Sequence, residues 1–156
     1  MSARVAERQA FIARCGWADA RVAPLAGDAS NRRYLRLHRR DGTPAVLMDA
    51  PPERGEDIRP FLSIARHLTG NSLRAPALLA ADPARGFLLL EDLGDTLFAR
   101  VLEADPSLEH RLYRAATDVL IHLHRCPLPN PVDTYGAQAM AEKAALAIDW
   151  YAPQAG

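Results

Sequence analysis

The chain of 156 residues has few of the features that define several common protein classes. It has two cysteines, Cys15 and Cys126, which are far apart and lack metal-ligand spacing. They indicate reduced thiols and not a disulfide framework. No apolar run approaches the roughly 20 residues that span a bilayer. The charged N-terminus lacks the apolar region of a secretory signal. We therefore expect a cytoplasmic protein without a membrane partner.

The chain also lacks an excess of charge of either sign. It has 19 basic and 19 acidic residues, so its formal net charge is zero, and Lys143 is its only lysine. A neutral chain is not expected to bind nucleic acid through general electrostatic attraction. We interpret the one local basic cluster as a solvated hairpin face, because only Tyr34 is interleaved among Arg32, Arg33, Arg36, Arg39 and Arg40. No nucleic-acid partner is expected.

The composition is that of a globular domain, with 49% hydrophobic and 24% charged residues. Apolar positions at helical spacing predict a first helix over residues 3–15. Residues 21–50 then predict a three-stranded antiparallel meander, since apolar and polar residues alternate and Asp41-Gly42 marks a tight hairpin. Two short apolar runs, 75–81 and 86–90, predict a second pair of strands.

Helices are predicted between and after these strands. Glu56 to Leu68 has an apolar face, with Glu56 and Asp57 placed in the first turn. We expect Asp95 to cap a helix over 96–104. A longer helix follows from Asp105, with a buried stripe formed by Leu108, Leu112, Ala115, Val119 and Leu123. Five strands followed by a helical block predict an α+β fold.

Three segments carry a resemblance to a known family: 25–34, 46–53 and 86–94. Together they resemble the aminoglycoside phosphotransferase-like kinases, and within them the branch of bacterial anomeric kinases for N-acetylmuramate and N-acetylglucosamine. The resemblance implies a protein-kinase-like N-lobe at 1–93, with a five-stranded antiparallel sheet and one helix. The first helices of a C-lobe would follow at 94–156. It also implies ATP as cofactor and a small-molecule amino-sugar substrate, phosphorylated for cell-wall recycling.

The resemblance implies a nucleotide loop between the first two strands. Small residues let backbone N–H groups approach phosphate oxygens. The residues so assigned are Gly27, Asp28, Ala29, Ser30 and Asn31, with Arg33 beside them. A plain hairpin turn is the alternative interpretation of the same residues.

Two further assignments follow from the resemblance. Glu91 and Leu93 fall at the hinge, where adenine would bind backbone groups. Met48 stands where a kinase-like fold usually has a strand lysine that pairs with the phosphates. A thioether carries no charge, so Arg32, Arg33 or magnesium would have to meet the phosphates instead. Without the lysine, Glu53 and Glu56 are interpreted as solvated acids at the helix start.

The chain lacks the catalytic signature that the family implies. None of its histidines is followed by x-Asp and a later Asn, and family members are roughly twice as long, as two lobes require. We therefore expect a truncated chain, inactive alone, whose catalytic residues and magnesium ligands lie in a missing C-lobe. No catalytic residue or metal ligand is assigned here, since His122 and His124 would point in different directions on a helix.

Two other hypotheses remain open from the sequence. One is a non-catalytic nucleotide-binding module, and the other is an inert truncated remnant. Within the kinase class, aminoglycoside, choline-like and homoserine-like acceptors also remain possible, because the acceptor pocket is absent.

Overall fold

Five strands form one antiparallel sheet in the larger of the two units into which the chain divides, residues 1–126. The computed structural model describes residues 3–25, 30–129, 132 and 134–151. The predicted meander and the second strand pair are confirmed, and the spatial order is β1-β2-β3-β5-β4. The strands are β1 (Arg21–Pro24), β2 (Arg33–His38), β3 (Pro44–Asp49), β4 (Leu78–Asp82) and β5 (Phe87–Leu90).

Helices precede, interrupt and follow the sheet. They are α1 (Ala3–Arg14), α2 (Arg59–Gly70), α3 (Phe98–Ala104) and α4 (Glu109–Arg125), with short 3-10 turns at Pro52–Arg54 and Pro106–Leu108. The second unit, residues 127–156, contains α5 (Ala137–Leu146) and a π-helical turn at Ala147–Tyr151. The predicted α+β class is confirmed: a kinase-like N-lobe sheet is followed by helices.

The sheet separates two apolar cores, because successive side chains of a strand point to opposite faces. On one face, Leu47 and Leu89 pack with Phe11 and Ile12 of α1. On the other face, Met48 packs with Leu62 of α2. The second face also contains Ala50, Ile58, Leu88 and Leu90. Each face is thus covered by its own helix.

The predicted start of the second helix was wrong. The structure begins α2 at Arg59, so Glu56 and Asp57 precede it. Pro60 explains the difference, because proline lacks an N–H and is tolerated only in the first turn. Asp57 accepts hydrogen bonds from the backbone N–H and the Nε of Arg59, both at 2.9 Å.

Two predictions about the later helices were also wrong. The side chain of Asp95 does not cap α3, whose preceding residue is Leu97, because it binds Arg36 instead. The predicted stripe of α4 contains no fully buried residue, and Val119 is half exposed. Leu108, Leu112 and Leu123 are partly buried, and Ala115 is exposed, so the described residues cover the stripe only in part.

The turn between β4 and β5 brings two backbone segments into contact. Gly86 has a φ of +70°, and its carbonyl accepts a 2.9 Å hydrogen bond from the N–H of Ala50. A Cβ at this position would lie 1.9 Å from the Ala50 carbonyl oxygen. Only glycine fits here, both for its backbone conformation and for the close approach.

Candidate functional site

The segment that follows β5 leaves two backbone groups open at the predicted hinge. The N–H of Glu91 donates to the carbonyl of Ala77 at 2.8 Å. The Glu91 carboxylate accepts from the N–H of Ala77 at 3.1 Å and from Arg74, so this side chain anchors the segment before β4. Among the residues that the structure describes, the carbonyl of Glu91 and the N–H of Leu93 make no hydrogen bond.

Arg36 of β2 fixes the hinge segment from the sheet. Its Nε lies 2.6 Å from Asp92 Oδ2, and its Nη1 donates to Asp95 Oδ2 at 2.6 Å. The hydrogen bonds to Asp95 and then to Asp92 raise the pKa of Arg36 above its ordinary value. Asp92 Oδ1 also accepts the N–H of Gly94 at 2.8 Å, so one carboxylate orients the turn through Leu93 and Gly94. This ion-pair network therefore joins the sheet to the hinge.

Met48 lies on the face of the sheet that α2 covers. Its register partners are Tyr34 on β2 and Leu88 on β5, and it is fully buried. It packs with Ala50 and Leu62. Because a thioether offers no charge, Met48 contributes an apolar surface at this position.

The structure describes only the second end of the predicted nucleotide loop. Gly27, Asp28 and Ala29 lie outside the described residues. The Ser30 hydroxyl oxygen accepts the N–H of Arg32 at 3.1 Å. Asn31 donates from its side-chain Nδ2 to the carbonyl of Arg54 at 3.2 Å.

Glu56 holds this end of the loop, so its interpretation as a solvated helix-start acid was wrong. Its Oε1 accepts the N–H of Asn31 at 3.1 Å, and its Oε2 accepts from Arg32 Nε at 2.7 Å. The Glu56 side chain is only 12% exposed. The hydrogen bond to Glu56 raises the pKa of Arg32, and a hydrogen bond to Tyr34 adds to the effect although burial opposes it. Glu56 thus fastens Arg32 and Asn31 to the turn that precedes α2.

Arg33 and Arg32 are separated by the alternation of β2. Arg33 is paired with Asp49, whose carboxylate binds Arg4 and Arg8 of α1. Arg33 therefore belongs to the face that α1 covers, whereas Arg32 binds Glu56 in the segment before α2. The structure brings Asn31 and Met48 to the α2 face, and it does not bring Arg33 there.

The residues missed from the sequence are those that position others: Arg36, Glu56, Asp92 and Asp95. The alternation of β2 offered one signal, since it places Arg32, Tyr34 and Arg36 on one face. No local pattern identified their acidic partners.

Neither a metal cluster nor a membrane span is found in the described part of the chain. Within residues 3–25, 30–129, 132 and 134–151, His, Cys, Asp and Glu side chains form no group of three that could hold a metal ion. His122 Nε2 lies 2.8 Å from the carbonyl of Asn71, which it contacts as a donor. No helix among these residues is long and apolar enough to cross a membrane.

Comparison with known proteins extends these observations. The model of the phosphotransferase enzyme family matches residues 21–155. An N-acetylmuramate/N-acetylglucosamine kinase of Caulobacter vibrioides is 35% identical over an alignment 184 positions long, which covers 96% of this chain and 50% of the relative. A kinase of the same name from Pseudomonas aeruginosa is 37% identical, and the alignment covers 90% of this chain and 41% of the relative.

The alignments cover most of this chain but half or less of each relative. A third kinase of that name, from Pseudomonas putida, is 36% identical, with 80% of this chain and 35% of the relative aligned. The chain therefore spans half or less of the length of these curated relatives. The shared segment includes the sheet, the hinge and the helices that follow.

Proposed function

The chain belongs to the phosphotransferase enzyme family, and from this membership we propose that it forms the nucleotide-binding part of an ATP-dependent kinase. Residues 1–93 are the proposed nucleotide-binding lobe, and residues 94–156 are the proposed start of the helical lobe. The proposed acceptor is an amino sugar such as N-acetylmuramate or N-acetylglucosamine, phosphorylated at its anomeric hydroxyl. We propose a cytoplasmic role in cell-wall recycling, following the resemblance to that branch.

The hinge is the observation that carries this proposal. Adenine presents one donor and one acceptor on the edge that a hinge would bind, and the open carbonyl of Glu91 and N–H of Leu93 complement them. Arg36 holds this segment through Asp92, so its backbone is oriented before a ligand arrives. A preorganised segment loses less freedom on binding, which favours affinity.

Charged side chains lie at both ends of the same face of the sheet, Arg36 near the hinge and Arg32 at the far end. Arg36 is level with Val46 and Leu90 in the strand register, next to the hinge. Arg32 lies four residues earlier along β2, about 13 Å away at roughly 3.3 Å per extended residue. Apolar Met48 lies between these two levels. This spacing supports an adenine nucleotide whose base lies at the hinge and whose phosphates lie toward Ser30 and Asn31.

When bound, ATP supplies the phosphoryl group, and Mg²⁺ neutralises its charge. The proposed roles of this chain are to hold adenine at Glu91 and Leu93 and to cover the phosphates with residues 27–31. We propose that the base, and the residues that hold Mg²⁺, lie outside these 156 residues. Residues 1–156 alone should therefore bind nucleotide without transferring a phosphoryl group.

The test has two parts. The first is ATP consumption by residues 1–156 with N-acetylmuramate or N-acetylglucosamine, for which we expect no turnover. The second is the same assay on the product of the gene read past the codon for Gly156. Sugar-dependent ATP consumption by the longer product supports the proposal, provided that the added segment contains a His-x-Asp loop. Turnover by residues 1–156 alone would refute the assignment of catalysis to the missing lobe.

The two rival hypotheses give different results in these assays. If the chain is a non-catalytic module, it binds nucleotide, and the longer gene product shows no sugar-dependent ATP consumption. An inert remnant binds no nucleotide and unfolds or aggregates in isolation. Amino sugars are distinguished from aminoglycoside, choline-like and homoserine-like acceptors by which compound stimulates ATP consumption.

A further inference from the structure

The kinase-like arrangement needs a cation at the phosphates, and its usual source is missing here. Such folds place a lysine on the third strand and pair it with a glutamate on the following helix. At that strand position this chain has Met48, fully buried among apolar residues. The only lysine, Lys143, belongs to the other unit of the chain.

An equivalent cation–carboxylate pair is nevertheless present, built from different positions. Arg32 and Glu56 form it, with Arg32 Nε 2.7 Å from Glu56 Oε2. Both side chains are partly withdrawn from solvent, at 30% and 12% exposure. The pair joins the end of the loop before β2 to the turn before α2. The pair of Arg59 with Asp57 joins residues two positions apart, whereas Arg32 and Glu56 are separated by 24 residues.

The geometry points to Arg32 as the residue that binds the nucleotide phosphates, in place of the missing strand lysine. This inference rests on the proposed function. Arginine has five N–H donors in a planar fork that matches phosphate oxygens. The contact with Glu56 uses Nε, so the terminal nitrogens retain donors for a second acceptor.

Two further observations support this assignment. Glu56 also accepts the N–H of Asn31, so the carboxylate fixes the backbone next to Arg32 as well as its side chain. A side chain whose position is already set loses less rotamer freedom on binding. Glu56 belongs to the segment before α2, and α2 covers the face of Met48, so the ion pair places Arg32 on the face proposed for the nucleotide.

The neighbouring arginine provides a matched control. Arg33 carries the same charge one residue later, but its register with Asp49 assigns it to the opposite face. Substitution of either residue by glutamine removes one positive charge from the same stretch of chain. A difference between the two variants therefore reports position, because the change in net charge is identical.

The experiment measures the Kd for ATP and for adenosine, by calorimetry, on residues 1–156 and on the variants. Arg32→Gln should weaken ATP binding about 10- to 100-fold, the range for loss of a charge-assisted hydrogen bond. It should leave adenosine binding within about twofold. Arg33→Gln should change both constants by less than about twofold, and Arg32→Lys should recover part of the ATP affinity because it restores the charge.

The opposite results would overturn the inference. If Arg32→Gln weakens ATP and adenosine equally, Arg32 only supports the fold of the loop. If Arg32→Gln and Arg33→Gln weaken ATP equally, the effect is general electrostatics. Thermal unfolding of each variant identifies any loss of folding. If the parent chain is folded but binds neither ligand, the proposed function itself is wrong, whereas normal binding with an ATP-insensitive Arg32→Gln contradicts this inference alone.

Discussion

Replacing Gly86 by alanine should destabilise the fold in two ways, through an unfavourable backbone conformation and through a steric clash. A residue with a Cβ in the left-handed conformation costs roughly 1–2 kcal/mol. At Gly86 the new Cβ would also lie 1.9 Å from the carbonyl oxygen of Ala50, whereas Cβ atoms essentially never approach another heavy atom closer than 3.0 Å. The two segments would therefore have to separate by about 1 Å.

That separation breaks a buried contact. The N–H of Ala50 donates to the carbonyl of Gly86 at 2.9 Å, and Ala50 and Phe87 are fully buried. Loss of a buried hydrogen bond costs about 1–3 kcal/mol. We therefore expect Gly86→Ala to lower the free energy of unfolding by about 2–5 kcal/mol, the sum of the backbone and contact costs.

Gly42→Ala is the matched control. Gly42 also has a positive φ, +86°, but a Cβ there would meet nothing within 4 Å. Gly42→Ala should therefore lower the free energy of unfolding only by the backbone cost of roughly 1–2 kcal/mol. Urea unfolding followed by far-UV circular dichroism measures both variants, and a difference of about 2 kcal/mol shifts the midpoint by about 1 M. Equal destabilisation of the two variants would refute the close approach of Gly86 to Ala50.

Three further predictions concern charged and reactive groups. Arg36→Gln should lower the free energy of unfolding by about 2 kcal/mol, because it leaves the nearly buried Asp92 without a cation. Arg59→Gln, which breaks an exposed pair, should leave the midpoint of urea unfolding almost unchanged. The hydrogen bond from Arg36 lowers the pKa of Asp95. The contribution of this pair to folding stability is therefore fully present above the ordinary carboxyl pKa of about 4, and it is lost as the pH falls through the lowered pKa of Asp95. Acid unfolding of Arg36→Gln should accordingly depend less on pH below about 4, and an unchanged slope would contradict the pairing. Burial raises the pKa of the Cys15 thiol, although Arg14 opposes the effect, so alkylation at neutral pH, followed by peptide mass spectrometry, should be slower in the folded chain than in urea.

Local patterns predicted most of the sheet because the relevant signals lie within a few residues. The alternation from Arg33 to His38 and the Asp41-Gly42 turn specify the hairpin of β2 and β3. The start of α2 was missed because Pro60 was not weighed as a first-turn residue. The α4 stripe was predicted from its period alone, which shows amphipathicity and not what covers it.

The positioning contacts of the site could not be predicted from local patterns. Arg36 meets Asp92 and Asp95 across 56 and 59 residues, and Arg32 meets Glu56 across 24. Several arginines and carboxylates of this neutral chain could have formed such pairs, and only the folded sheet selects among them. The residues named for the site came from resemblance, so their contact with nucleotide stays a prediction.

The division of the apolar interior by the sheet has a consequence for how this lobe can change during evolution. Leu47 and Met48 are adjacent in sequence, yet their side chains belong to different cores. Substitutions in separate, non-contacting clusters tend to have additive effects on stability. The face covered by α1 can therefore preserve the architecture while the opposite face accumulates changes. In a lobe built in this way, the residues that contact the ligand can be substituted, and a strand lysine can be lost, while the fold is preserved.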